Sequence, residues 1–130
     1  ILSSFAGRAR KEEIEIKIQC AIPADLTVSE SDLCVLLSNA LENALHACVL
    51  LAAEGRSCEI DVNFYERNKH LFLQVVNDCK APIKFQNGIP VSDMEGHGIG
   101  VRSICAIVQR YGGVFSFAEK NGKFTLRLSL

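Results

Sequence analysis

The chain has 130 residues, 48% of them hydrophobic, and its 14 lysines and arginines nearly balance its 15 aspartates and glutamates. This length and apolar content predict one compact domain with a hydrophobic core. The net charge of -1 argues against nucleic acid as a partner, because nucleic-acid binders usually carry a basic excess. The sequence has no run of 18 apolar residues and no signal-peptide pattern, so we expect no membrane span in it.

The six cysteines are scattered and form no C-x-x-C motif. Most occupy apolar positions of periodic segments, which predicts free thiols buried as small hydrophobic side chains in a reducing cytoplasm. A disulfide framework or a zinc site is the less favoured interpretation. The residues are Cys20, Cys34, Cys48, Cys58, Cys79 and Cys105.

The first residues resemble the end of an interrupted helix. Residue 1 is Ile rather than Met, and we therefore expect the chain to be part of a longer protein. The predicted division is an upstream helix tail or linker over residues 1–12 and a single domain over residues 13–130.

The first two regular elements are a strand and a long helix. Residues 13–22 alternate between polar and apolar side chains, which predicts a half-buried strand that ends at Pro23. Ser29 followed by Asp32 resembles a capping box, and the apolar periodicity after it predicts a helix from about Glu30 to Ala53. Gly55 is the expected stop of this helix.

The remaining pattern predicts two strands, a long loop, a second helix and a hairpin. We place them at 58–64, 71–77, 78–95, 99–111, 114–118 and 124–130, the hairpin turning at Asn121-Gly122. The order β-α-β-β-loop-α-β-β predicts an α+β fold. It is a two-layer sandwich whose mixed, mainly antiparallel sheet is covered by helices on one face. A long loop inside so small a domain is usually functional.

Two asparagines lie four residues apart on the first long helix, at Asn39 and Asn43. They share one helix face next to an apolar stripe. Burying an unpaired amide costs about 1–3 kcal/mol, so both need partners. Taken alone, the pair reads most simply as core-edge amides bonded to the backbone, and a ligand site is the alternative.

A glycine-rich segment, GHGIG at residues 96–100, leads directly into the second helix. Such glycines let the backbone approach a ligand and present N–H groups at a helix N-terminus, which favours anions. A flexible loop before a helix is the simpler alternative. The segment matches neither the Walker A motif nor the dinucleotide-binding fingerprint.

A polar pair, Asn77 and Asp78, ends the third predicted strand just before the long loop. Either side chain could hydrogen-bond the edge of a base. An Asn-Asp pair at a strand end is more often simply the start of a turn.

In this order, these features resemble the GHKL (Bergerat-fold) superfamily, which includes gyrase, MutL, heat-shock chaperones and sensor histidine kinases. The resemblance covers residues 13–130 and rests mainly on LLSNALENALHA and GHGIG. Asn43–Ala47 and Gly96–Ser103 are most similar to the quorum-sensing and peptide-receptor histidine kinases.

The resemblance implies roles for the first helix. Asn43 would give its carboxamide oxygen to the Mg2+ that bridges the triphosphate of ATP. Asn39 stands where hydrolysing relatives carry a water-activating Glu, and an amide cannot take up a proton, which favours a kinase over an ATPase. His46, often Lys in other kinases, is either a phosphate contact or a helix-surface histidine.

The resemblance also implies roles for the glycine segment and the strand end. Gly96, Gly98 and Gly100, with Ile99 between the last two, would admit phosphate beside the backbone amides, with His97 and Arg102 as candidate phosphate contacts. Most relatives carry Asp-x-Gly-x-Gly after the third strand, whereas here Asn77 takes the place of the Asp and is followed by Asp78-Cys79-Lys80-Ala81, without glycines. Strand alternation favours Asn77 over Asp78 as the base-reading residue, and weaker nucleotide binding is implied.

The function implied is that of the ATP-binding catalytic domain of a sensor histidine kinase. The cofactors are ATP and Mg2+. The γ-phosphate would pass to a histidine on separate dimerisation helices of a homodimer, and then to a response regulator. His46, His70 and His97 all lie within the binding domain, so this chain alone is not expected to autophosphorylate.

Such kinases are usually anchored in the cell membrane, which implies a cytoplasmic location for this domain. Three alternatives stay open. One is an anti-sigma-type serine kinase, although such relatives usually keep a Glu at the position of Asn39. The second is a degenerate pseudokinase that serves as an interaction module. The third is an unrelated α/β domain.

Overall fold

The computed structural model describes residues 2–23, 25–91 and 98–130, with side chains in the last range from residue 100 onward. Its elements in chain order are α1 (Leu2–Lys11), β1 (Glu15–Ala21), α2 (Glu30–Ala53), β2 (Glu59–Arg67), β3 (His70–Asp78), β4 (Phe85–Gln86), β5 (Ile89–Pro90), α3 (Gly98–Arg110), β6 (Val114–Lys120) and β7 (Lys123–Ser129).

Five strands form one sheet in the order β1-β2-β3-β7-β6. Strand β1 runs parallel to β2, and the other neighbours are antiparallel. Every second residue of the central strands is buried and joins α2 and α3 in one core, as Val62, Leu73 and Leu126 illustrate. Because the alternate residues on the other face, such as Lys17 and Asp61, are exposed, the helices cover one face only. The predicted two-layer α+β sandwich is confirmed.

Helix α2 begins and ends where its local sequence predicts. Ser29 is the N-cap, and its side chain accepts a hydrogen bond from the backbone N–H of Asp32. At the other end Gly55 has φ +74, and the backbone N–H groups of Gly55 and Arg56 donate to the carbonyls of Ala52 and Leu51. This is a Schellman motif. The capping box is only half formed. The Asp32 carboxylate accepts hydrogen bonds from Arg110, the last residue of α3, and from Tyr111, and not from the backbone N–H of Ser29.

Helix α2 is also the one described helix that is long and apolar enough to span a membrane by length and composition alone. Nine of its residues are buried in the core, among them Leu36, Leu41 and Ala44. The central helix of a water-soluble fold meets the same two criteria, and the packing of α2 on the sheet accounts for its hydropathy.

The N-terminal helix α1 is part of this core. Its Phe5 and Ala9 are buried among the core residues, and Arg8 donates to the carboxylate of Glu42 on α2. The helix predicted over the first residues is therefore present and packs against the domain.

The segment predicted as a long loop contains a small hairpin, β4 and β5. Asn87 and Gly88 form its turn with φ values of +53 and +76, the left-handed conformations that a tight hairpin turn requires. Strands of two residues are too short to show alternation, which is why the pattern did not reveal them. The predicted hairpin between β6 and β7 is confirmed, with Asn121 and Gly122 at φ +53 and +79.

The prediction of six free, buried thiols is wrong for four cysteines. Cys48 and Cys58 form a disulfide with a Cα–Cα distance of 5.4 Å, because the chain reverses at Gly55 and brings the start of β2 beneath α2. Cys20 and Cys34 are exposed, and only Cys79 and Cys105 are free and buried. Alternation in β1 placed Cys20 on the inner face, but β1 is an edge strand that the helices cover incompletely.

Candidate functional site

A cleft of about 510 Å³ opens between α2, the carboxyl end of β3, the segment that follows β3, and α3. Helix and strand ends meet there because α2 and α3 pack side by side over the sheet. The lining residues are Asn43, His46, Ala47, Leu50, Asn77, Cys79, Lys80, Pro82, Ile83, Lys84, Pro90, Val91, Val101 and Phe124.

Asn77 forms the inner wall of the cleft at the end of β3. It is 2% exposed, the one buried polar or charged residue in the described part of the chain. Its side-chain Nδ2 donates to the backbone carbonyl of Asp78 at 3.0 Å. With one N–H directed to that carbonyl, the amide oxygen is the acceptor that Asn77 can offer to a ligand.

Asp78 is turned away from the cleft, on the open side of the sheet. Its Oδ2 accepts a hydrogen bond from the backbone N–H of Glu59 at 2.8 Å, and its Oδ1 pairs with Lys123 at 2.7 Å. The carboxylate therefore joins β2 to β7. Of the two residues left open by the sequence, the structure places Asn77 and not Asp78 in the cleft, as the alternation of β3 predicts.

Asn43 and His46 bring α2 to the cleft. They lie three residues apart on one helix face, Asn43 exposed and His46 half-buried. Exposure removes the need of Asn43 for a backbone partner, so its carboxamide is available in the cleft. His46 also borders a second groove of about 340 Å³ between α1 and α2.

Asn39 lies one turn earlier and faces α3. A Cβ atom on Gly100 would stand only 3.2 Å from Asn39 Oδ1, so the glycine lets the two helices approach closely. Asn39 is half-buried and is not among the residues that line the cleft as described. The structure thus joins the predicted Asn39 and Gly100 at the helix contact, beside the first turn of α3.

The glycine segment is described in part. Gly96 and His97 lie outside the described residues, while Gly98 and Ile99 open α3, and Val101 is buried and lines the cleft. The first turn of any α-helix has backbone N–H groups without a partner inside the helix, and these favour anions. Arg102 is exposed and is not among the described lining residues.

Several lining residues were not identified from the sequence. Lys80 pairs with Glu54 at 2.7 Å, and Lys84 follows it in the same segment. Phe124 lies opposite Asn77 in the β3–β7 register, and its ring stacks on Phe85 at 6.4 Å between centroids. The two lysines were visible as basic residues in a functional loop, whereas Phe124 required knowledge of strand pairing.

The charge of the cleft suits an anionic ligand. Its described lining includes two lysines and no aspartate or glutamate. Burial raises the pKa of the Cys79 thiol to about 11, and Glu119 and Asp78 add to the shift, so this thiol is neutral at pH 7. In the described ranges, no three His, Cys, Asp or Glu side chains cluster so as to hold a metal ion.

The comparisons with known proteins agree with this fold. A family model described as a GHKL domain matches residues 28–130. No curated protein matches the sequence. Among solved structures, the catalytic domain of histidine kinase ThkA is 16% identical, with 98% of this chain and 84% of that chain covered and a TM-score of 0.70.

Two further histidine kinases have the same fold. Histidine kinase AdeS of Acinetobacter baumannii is 7% identical, with 99% of this chain and 61% of that chain covered and a TM-score of 0.65. Full-length ShkA, solved in complex with AMPPNP, is 16% identical, with 98% of this chain and 27% of that chain covered and a TM-score of 0.67. Because the family model spans more than three quarters of the 130 residues, the chain belongs to the GHKL domain family.

Proposed function

We propose that this domain binds Mg-ATP in the cleft and supplies the γ-phosphate for phosphorylation of a histidine on a separate dimerisation domain. One observation carries the proposal. A single basic-walled cleft brings together Asn43 on α2 and Asn77 at the end of β3, beside the first turn of α3. The complex of the structurally similar ShkA with AMPPNP supports the choice of ligand.

The two ends of the cleft suit the two ends of a nucleotide. Next to Asn77, Phe124 lines the cleft, and its ring suits the face of a base whose edge meets the amide oxygen. The phosphates would lie toward the first turn of α3, because a helix N-terminus favours anions. Lys80, Lys84 and His46 add positive or hydrogen-bonding character to the same walls.

The residues present also fit Mg2+ held mainly by the nucleotide. Mg2+ prefers oxygen ligands and keeps several waters, and it is commonly bound through one or two protein groups and substrate phosphates. The exposed carboxamide of Asn43 provides one oxygen in the cleft, and the described residues offer no acidic cluster that would bind the ion without nucleotide. When bound, Mg2+ would neutralise charge that develops on the phosphates.

The chemistry left to the protein is positioning. Asn39 has no basic group with which to activate water, and it is held against Gly100 where a hydrolysing relative would carry a Glu. The γ-phosphate is thereby kept for the acceptor histidine. We further propose the quorum-sensing branch of kinases, a homodimeric parent protein in the cell membrane with this domain in the cytoplasm, and a response regulator as the next acceptor.

The first experiment is a calorimetric titration of the domain with AMPPNP, with Mg2+ and with EDTA. We expect saturable binding that weakens when Mg2+ is removed. Asn43→Ala should weaken the Mg2+-dependent binding by at least about tenfold, the loss that removing even an outer partner of a metal ligand causes. Asn63→Ala is the matched control, because Asn63 lies on the open face of the sheet and should leave binding unchanged.

Phosphoryl transfer is tested with labelled ATP. The domain alone should remain unlabelled, whereas the parent protein with its dimerisation helices should become labelled on histidine. If neither Mg-AMPPNP nor Mg-ADP binds at millimolar concentration, the nucleotide-binding proposal is wrong. The pseudokinase interpretation would then be favoured, in line with the absence of glycines from residues 78–81.

A further inference from the structure

The Cys48–Cys58 pair lies directly behind the wall of the cleft. Cys48 follows Ala47, which lines the cleft, and its side chain is fully buried, while Cys58 is 9% exposed. The two residues are ten positions apart, at the end of α2 and just before β2. A change at this pair therefore acts where α2 meets the sheet.

One backbone carbonyl connects the pair to the site. The oxygen of Asp78 lies 3.9 Å from Cys48 Sγ and 3.8 Å from Cys58 Sγ. The same oxygen accepts the 3.0 Å hydrogen bond from Asn77 Nδ2 that sets the orientation of the amide in the cleft. The Asp78 carboxylate also holds the backbone of Glu59, next to Cys58, so few atoms separate the sulfurs from Asn77.

The number of donors at this carbonyl depends on the oxidation state of the sulfurs. As thiols, both residues could donate weak S–H hydrogen bonds to the Asp78 oxygen and compete with the Asn77 amide. As a disulfide they carry no hydrogen, and the carbonyl is left to Asn77. Oxidation thus fixes the Asn77 oxygen as the acceptor toward the cleft, whereas reduction lets the amide rotate.

We propose that Cys48 and Cys58 form a reversible thiol modification site, and that the disulfide form binds nucleotide more tightly than the dithiol through the orientation of Asn77. The second half rests on the proposed function.

The oxidant is a low-molecular-weight disulfide, RSSR. The thiolate of Cys58, the less buried partner, attacks it to form a mixed disulfide and release RS–. The thiolate of Cys48 then attacks Cys58 Sγ and releases the second RS–, so two electrons pass to two RSH after protonation.

The other four cysteines are poor alternatives for this chemistry. The chemistry needs two sulfurs within bonding distance, as at Cys48 and Cys58, whereas Cys79 and Cys105 are free. Cys20 and Cys34 are exposed on β1 and on the first half of α2, away from the cleft. In the cytoplasmic location proposed above, a disulfide is usually transient or regulatory, which suits a reversible role for the pair.

The test begins with a Cys20→Ser/Cys34→Ser background, which removes the exposed thiols. The domain is equilibrated in oxidised or reduced glutathione, and peptide mass spectrometry after alkylation reports the pairing. Titration with Mg-AMPPNP then compares the two forms, and the 15N–1H resonances of the Asn77 side-chain amide report its environment without nucleotide. Cys58→Ser is a control variant that cannot form the pair. Cys48→Ala is a second such control, used if Cys58→Ser folds poorly.

We expect the Cys48–Cys58 peptide in the oxidised form and a shift of the Asn77 amide resonances. We also expect a Kd for Mg-AMPPNP at least threefold lower than in the reduced form, with no redox difference in either variant. Failure of the pair to form in oxidised glutathione would overturn the site. A pair that forms without moving the Asn77 resonances would overturn the coupling. If the resonances move but neither form binds nucleotide, the proposed function fails while the thiol site stands.

Discussion

Replacing Asn77 with aspartate, the residue that the family resemblance implies at this position, should harm this chain rather than improve it. In Asn77→Asp the group 3.0 Å from the Asp78 carbonyl changes from a donor to an acceptor. The position is 2% exposed, and the nearby Lys80 and Lys123 already pair with Glu54 and Asp78. A lost bond at a buried acceptor costs about 1–3 kcal/mol, and an uncompensated buried charge costs more. We expect a loss of about 3 kcal/mol in the free energy of unfolding at pH 7.

The loss should depend on pH in a defined direction. Burial and the facing carbonyl raise the folded pKa of the new carboxyl above its unfolded value of about 3.9. At acid pH the protonated carboxyl can donate to the Asp78 oxygen as the amide does, so the variant approaches the wild type. The folded state binds more protons than the unfolded state, and stability therefore falls as pH rises through the raised folded pKa.

Urea unfolding of the nucleotide-free domain between pH 4 and pH 8 measures this difference. Asn63→Asp makes the same chemical change on the open face of the sheet, where the residue is half-buried, and should cost less than about 1 kcal/mol. A variant at Asn77 that is as stable as wild type at pH 7 would refute the reasoning. A loss that stays constant with pH would refute the proposed role of the carbonyl.

Two further predictions concern the end of α3. A Cβ at Gly113 would lie 1.9 Å from the Ser129 carbonyl oxygen, whereas Gly112, at φ +67, has open space around it. Thermal unfolding should therefore show a loss of about 3 kcal/mol for Gly113→Ala and about 1 kcal/mol for Gly112→Ala, where a side chain would be strained at positive φ, and equal losses would contradict the contact. The Tyr111 hydroxyl donates to Asp32 Oδ2 at 2.6 Å and is the main cause that lowers the pKa of Asp32. At pH values above the pKa that Asp32 has in the unfolded chain, its carboxylate stabilises the fold. This stabilisation is lost as the pH falls through the lower pKa of the folded state. Tyr111→Phe should raise the pKa in an NMR titration, and an unchanged pKa would show that Arg110 suffices.

Local interactions made the element boundaries predictable from sequence. Helix α2 was placed at its observed limits, because Ser29 and Gly55 satisfy the free backbone groups of the helix within a few residues. The inner position of Asn77 followed from the two-residue period of β3. The two asparagines of α2 could be placed together because helix spacing fixes which residues share a face, and Gly98 and Gly100 at the start of α3 belong to a contiguous glycine-rich segment.

The tertiary structure decided what depends on contacts between distant segments. The Asn39–Gly100 approach and the place of Phe124 in the cleft arise from helix packing and from the pairing of β3 with β7. The disulfide of Cys48 arises from the reversal of the chain after α2, where a periodic pattern predicted only burial. Periodicity and capping depend on interactions within a few residues, whereas the order of the strands and the packing of the helices depend on contacts between distant segments in one hydrophobic core. Sequence alone thus determined which residues of the central strands and of α2 face inward, although not Cys20 on the edge strand β1, and only the packed fold decided which of them meet.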